Sequence, residues 1–365
     1  MTSPTAPIAS VPAAAPTLRV VNESLGGAGG AALIGALLGL VSAYVWPSLP
    51  ISGAWSFGDL AAIAAGLVAA VAAGTGYWRS RRAPGQEWRL GLAPWKFTVN
   101  TISVVLVHVV LATLGALALF IVLGLAFVGL TMVPFWSAVL MAVTLLLAFH
   151  LTYVSVSRMT TQRMSSLLMA FILIGALTAM VTTPDPEWWT VHFSHLGTFD
   201  AISSYVFNAT LIIGGLLVTT FAVYVSNDLR GLVGRGLLSR EDSPKIVSTM
   251  FVIMGVLLAG VGIVPVDVNL LIHNLSATGT AIVFLVLLVW AQRLLRGMPA
   301  AFFAASWGFF GAVVVSAVLF VVGYFGLTAF EIIVFGLIFA WISVFIRFVG
   351  VTANEKGADA VAPAP

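Results

Sequence analysis

Five histidines, thirteen carboxylates and no cysteine set the chemistry open to this 365-residue sequence. Without thiolates, a metal or acid–base site must be built from His, Asp and Glu. His192, His195 and Asp200 fall in one short segment, residues 185–200. Helical spacing places the two histidines on one face, and a His-x-x-His pair with a nearby carboxylate is a zinc-ligand pattern. Asp267 and His273 would complete such a site from elsewhere in the fold. The flanking Glu of a His-Glu-x-x-His motif is missing, so no protease chemistry is implied. The competing reading makes Trp188 and Trp189 anchors of an interfacial helix at headgroup depth, with the histidines as ordinary polar groups capping a helix bundle.

A second set is defined by depth. At about 1.5 Å per residue, His273 lies about 9 Å below Asp267, Asn208 about 12 Å below Asp200, and Glu331 about 24 Å from Arg347. Glu331 is the only acidic residue between Arg296 and Arg347. Ionisable side chains inside a membrane are costly enough to suggest function, with a named partner; the partner expected for Glu331 is His273. With Asn208, Asp267 and Asn274 they form a candidate polar pocket able to accept and donate protons. The alternative is a hydrogen-bonded plug holding helices together. His108, near the middle of its own helix, reads as an interhelical hydrogen bond.

These residues need elements to hold them, and composition says what those are. The sequence is 60% hydrophobic and 8% charged, against about 25% charged in a soluble domain, which excludes a water-soluble fold. A crossing helix needs about 20 apolar residues, and ten segments qualify: 26–46, 60–78, 99–122, 135–154, 165–181, 202–225, 247–264, 268–291, 300–324 and 329–347. Pro47, Pro134, Pro184, Pro265 and Pro299 fall at their boundaries, where a missing N–H does least harm. The fold class expected is therefore all-α, a polytopic transmembrane helix bundle of about ten spans.

Orientation follows from basic residues, which resist translocation in short loops. With the amino terminus inside, all sixteen Lys and Arg fall on the cytoplasmic side, in the tails and after spans two, four, six and eight. Asp59, Asp185, Glu187, Asp200 and Asp267 collect outside. The reading is N-in/C-in, in the plasma membrane. The expected division is a disordered cytoplasmic tail 1–24, a four-span part 25–164, a six-span part 165–348 and a second disordered tail 349–365. The Pro- and Ala-rich start, without Lys or Arg before Arg19, reads as a disordered tail rather than a signal peptide.

The connection from Asn227 to Lys245, with Gly231, Gly234, Gly236, Arg230, Arg235 and Arg240, lacks Gly-Lys-Ser/Thr and any preceding strand, so it is not a phosphate loop. It reads as an anchor for anionic lipids at the cytoplasmic surface. A net charge of +3 on so apolar a chain gives no reason to expect nucleic acid. The bilayer is the expected partner, and no cofactor is expected; a divalent metal at His192, His195 and Asp200 is the one exception the donor set leaves open. Oligomeric state is not encoded in any pattern here.

Two stretches, "DPEWWTVHFSHLGTFDAISSYVFNATLIIGGLL" and "GVGIVPVDVNLLIHNLSATG", couple a Ser-x-Leu-Gly turn, a Phe-Asn helix start, and Gly-x-Gly-x-x-Pro-x-Asp ahead of a helix carrying His. The positions are Ser194, Leu196, Gly197, Phe207, Asn208, Gly260, Gly262, Pro265, Asp267 and His273. In these the sequence resembles the actinobacterial branch of the bacterial membrane family called domain of unknown function 998, over Ser165 to Arg347. The resemblance implies a fold, but no activity and no catalytic residues. Three functions then compete: binding or transport of a small molecule, lipid or proton through an outward-facing polar pocket; an intramembrane metal-dependent enzyme acting on lipid or cell-envelope precursors; and a structural or regulatory membrane protein without turnover.

Overall fold

The structure is a computed structural model that describes residues 18–198 and 200–359. Ten helices are long and apolar enough to cross a membrane: α1 (Leu18–Val45), α2 (Phe57–Ser80), α3 (Pro94–Ala126), α4 (Pro134–Ser157), α5 (Thr161–Thr182), α6 (Ile202–Gly234), α7 (Ser243–Ile263), α8 (Leu270–Leu294), α9 (Ala300–Val321) and α10 (Leu327–Asp359). No strand occurs among the described residues, so the all-α polytopic expectation holds in kind and in number. The prolines behave as expected too. Pro134 opens α4, Pro299 caps α9, and Pro47, Pro184 and Pro265 each follow a helix end by two residues.

Most helix ends extend past the hydropathy boundaries, while α9 stops at Val321, short of the expected 324, and α8 starts at Leu270 in place of 268. α3, α6 and α10 each run 33 residues, about 50 Å at 1.5 Å per residue against about 30 Å of hydrocarbon. Hydropathy registers the lipid-facing part, whereas the backbone ladder continues into water wherever polar side chains support it. α1 begins at Leu18, ahead of the expected Gly26, because Arg19 Nε donates to Glu23 Oε1 across one turn at 3.0 Å. Of the expected terminal tails, 1–17 and 360–365 lie outside the described residues.

The chain divides into two compact units, with the boundary between Met159 and Thr160. In the four-helix unit, α1 packs on α4, and α2 on α3 and α4. Small residues permit this approach: a Cβ at Gly39 would fall 2.1 Å from the Ser137 carbonyl oxygen, and one at Gly35 2.7 Å from that of Met141. Glu23 is the polar tie here, accepting from Tyr153 Oη at 2.5 Å with Arg79 Nη1 at 3.6 Å. His108 donates or accepts through Nε2 with Ser155 Oγ at 3.0 Å, the interhelical bond its position suggested.

In the six-helix unit α6 is central, packing on α5 and α7, while α10 reaches α5, α8 and α9. Gly215 and Gly255 bring α6 and α7 into backbone contact, since a Cβ on Gly215 would lie 2.3 Å from the Gly255 carbonyl oxygen. Aromatic side chains fill the α8–α10 interior: Trp341 stacks on Phe345 with ring centroids 5.2 Å apart, and its Nε1 donates to Ser306 Oγ on α9 at 3.1 Å.

Candidate functional site

In the connection from α5 to α6, residues 183–198 are folded rather than slack. Pro184 and Pro186 stop α5, Asp185 Oδ1 accepts from the Glu187 N–H at 2.8 Å, and two 3-10 turns follow, Trp188–Thr190 and Phe193–Gly197. The interfacial helix anticipated at Trp188 and Trp189 is thus a single 3-10 turn. The Asx-type bond at Asp185 starts a turn instead of a longer helix. Phe193 and Leu196 are buried, and the Phe193 ring meets Phe207 edge-on at 5.2 Å. Two apolar anchors therefore seat the connection on its own unit.

Polar groups complete the seating. The Gly197 carbonyl accepts twice, from Ser204 Oγ at 2.8 Å and Asn208 Nδ2 at 2.9 Å. A Cβ on Gly197 would sit 2.5 Å from Asn208 Oδ1, so a side chain there would have to displace the Asn208 amide from its place against the Gly197 carbonyl. Glu331, in the second turn of α10, accepts from the Phe193 N–H at 2.6 Å. The connection is thereby fastened to α6 and α10 together.

The α7–α8 turn adds the next layer. A Cβ on Gly262 would lie 2.5 Å from the Asn208 carbonyl oxygen, and Gly260 faces Ser276 Oγ as closely as 2.9 Å. The Pro265 carbonyl accepts from the Val268 and Asn269 N–H groups, and Asn269 Oδ1 caps α8 by accepting from Ile272 N–H at 3.0 Å. His273 is buried, and its Nδ1 faces the Val264 carbonyl oxygen at 2.9 Å. In the neutral ring that contact makes Nδ1 the donor and leaves Nε2 as a lone-pair acceptor.

Three imidazoles gather at this end of the unit. The His192 and His195 rings are T-shaped, 5.5 Å apart, and His195 Nε2 lies 3.3 Å from Asp185 Oδ2. Burial, and then the neighbouring His195 and His273, push the His192 pKa below its ordinary value of 6.5. His192 is accordingly neutral at pH 7.

The predicted residues divide on this geometry. His192, His195, His273, Asn208 and Glu331 belong to one assembly. Asp267 and Asn274 are exposed and join none of its hydrogen bonds, and Asp200 instead accepts from Tyr205 Oη at 3.1 Å. Glu331 and His273 are not hydrogen-bonded to each other; each is taken up by a backbone group. Among the described residues, no group of three or more His, Asp or Glu side chains is placed to hold a metal ion. α6, α8 and α10 begin at Ile202, Leu270 and Leu327, so Asn208, His273 and Glu331 lie within their first two turns. Sequence reasoning missed Asp185 as the His195 partner, Asn269 as a cap, and the Phe193 N–H. Only the Asn at a helix start carried a readable signal.

Residues 167–347 match the family model described as Protein of unknown function (DUF998). No curated protein and no solved structure matches the chain. Of the positions that carried the family resemblance, Gly197, Phe207, Asn208 and Gly262 make contacts that join the α5–α6 connection, α6 and the end of α7, Pro265 and His273 shape the α7–α8 turn, and Asp267 is exposed.

Proposed function

Since residues 167–347 belong to the DUF998 family, whose description assigns no activity, we propose that this chain is a multi-pass membrane protein that binds and carries a proton, or a small molecule with it. The entrance on this reading is the end of the six-helix unit where the α5–α6 connection covers Glu331. The observation that carries it is the Glu331 carboxylate, set near the end of a membrane-length helix and bonded to a single backbone N–H of a histidine-bearing connection. A carboxylate in such a place is costly unless it is used.

His192, packed beside His195 and His273, supplies the trigger. Neutral at pH 7, His192 gains a proton only at the expense of repulsion from its neighbours. Charging His192 weakens the seating of the connection and opens a route to Glu331. Asp185, beside His195, moderates that repulsion on one side.

The distribution of basic residues supports the direction. No Lys or Arg occurs in the connections α1–α2, α3–α4, α5–α6, α7–α8 or α9–α10, which by the positive-inside rule face away from the cytoplasm. On this reading the histidine end opens outward from a plasma membrane, and the basic connections rest on anionic lipid.

A structural bundle without turnover is the second reading. It is favoured by the way Ser204, Asn208 and His273 turn their polar atoms to backbone carbonyls. Proteoliposomes with an imposed pH gradient separate the two. A carrier dissipates the gradient faster than protein-free liposomes and loses that flux on Glu331→Gln, whereas a structural bundle gives no flux in either form.

A further inference from the structure

At the opposite ends of α6 and α8 from the histidine cluster, the α6–α7 and α8–α9 connections are stitched to each other. The Arg296 carbonyl accepts from the Ser239 N–H at 3.1 Å and from Ser239 Oγ at 3.4 Å. Ser243 Oγ donates to the Leu294 carbonyl. Gly297 adopts φ +115°, and a Cβ there would lie 2.0 Å from the Leu237 carbonyl oxygen, so only glycine fits against the neighbouring connection. α10 braces the pair, through Arg235 Nη1 donating to the Ala353 carbonyl at 3.2 Å.

Between the stitched connections lies a cleft of ≈ 290 Å³ lined by Ser239, Arg240, Arg293 and Arg296. Arg240 is already satisfied, since Asp242 receives Nε at 2.5 Å and Nη2 at 2.9 Å. The Arg293 and Arg296 guanidinium groups have neither an ion pair nor a hydrogen bond to the described residues. Two free guanidinium forks on a rigid frame match the oxygens of a phosphoryl group, which arginine binds bidentately, and the Ser239 hydroxyl reaches the ligand by turning its single proton away from the Arg296 carbonyl, a long bond of 3.4 Å.

We propose that this cleft is a binding site for a phosphoryl group, presented by an anionic lipid headgroup or by a soluble phosphate ester, held by Arg293, Arg296 and Ser239. Asp242 is its counterweight, occupying the third arginine and limiting affinity. This assignment is independent of the Glu331 end of the unit.

The test uses the purified full chain in detergent, titrated with dioleoyl phosphatidate and, separately, glycerol 3-phosphate, with bound ligand counted by native mass spectrometry. Arg293→Gln/Arg296→Gln weakens phosphatidate binding about tenfold or more, the scale of a lost bidentate charge contact. The charge-matched Arg82→Gln/Arg163→Gln, at exposed arginines elsewhere, leaves binding within about twofold. Asp242→Asn frees Arg240 and tightens binding, a gain that misfolding cannot mimic. Displacement of the lipid by glycerol 3-phosphate identifies the phosphoryl group alone as sufficient, and its failure with the same arginine dependence identifies the lipid as the source. The proposal is overturned by equal losses in the two double variants, by no tightening in Asp242→Asn, or by no binding of either probe to the wild type.

Discussion

The Glu331 carboxylate accepts a 2.6 Å hydrogen bond from the N–H of Phe193, 138 residues earlier in the chain. One side chain on α10 thus holds down the connection between α5 and α6. Removing it leaves a buried donor unsatisfied, which costs about 1–3 kcal/mol. Glu331→Ala should lower the thermal unfolding midpoint in detergent and admit protease into residues 183–201. Glu331→Gln keeps an acceptor and should lose less than half as much.

The histidine cluster predicts a pH response whose sign follows from His192. Its pKa is lower folded than unfolded, so its contribution to the seated connection is complete above the unfolded value of 6.5. That contribution is lost as pH falls from there through the folded pKa. The sequence has no native cysteine, so Pro186→Cys gives one reporter in this connection. Its maleimide labelling, corrected for thiolate fraction, should rise as the pH drops below 6.5, and His192→Phe should flatten the rise.

Backbone contact between α6 and α7 depends on missing side chains. Gly215→Ala drives a methyl group into the Gly255 carbonyl and should destabilise the protein by about 1–3 kcal/mol, as overpacking does. Gly231→Ala, on the same helix with open space around it, should be neutral or slightly stabilising, because alanine is the better helix former. Thermal unfolding of both variants in one detergent checks the difference.

Orientation is testable with paired cysteines. On intact cells an impermeant maleimide should label Pro186→Cys and should reach Glu241→Cys only after the cells are opened. Both positions are exposed, so accessibility is limited by the membrane alone. The reverse pattern would invert the topology and place the arginine cleft outside.

Ten spans were legible in the sequence because bilayer thickness imposes one long-wavelength signal, and because prolines such as Pro134 and Pro299 sit where a helix can begin. Helix ends were less legible, since α6 and α10 continue on local bonding after hydropathy fades. Within the site, the grouping of His192 and His195 could be read from their spacing. Pairing could not: Glu331 was matched to His273 on charge and depth, yet its donor is a backbone N–H, which has no sequence signature. Asp200 and Asp185 are both acidic residues of one connection, and only the fold of two 3-10 turns decides that Asp185 meets His195 while Asp200 meets Tyr205. The arginine cleft was visible only as a basic connection, because its second half comes from Arg293, in the last turn of α8, and Arg296, just after it.

The proposed proton-carrying role requires Glu331 to be a protonatable carboxyl that is reached when the α5–α6 connection opens. Dicyclohexylcarbodiimide reacts with protonated carboxyl groups in apolar surroundings, and peptide mass spectrometry locates the adduct. The prediction is a single adduct at Glu331 in α10, increasing as pH falls below 6.5, with a weaker pH response in His192→Phe. An absence of reaction at Glu331 across the pH range, or reaction that ignores both pH and His192, would contradict it.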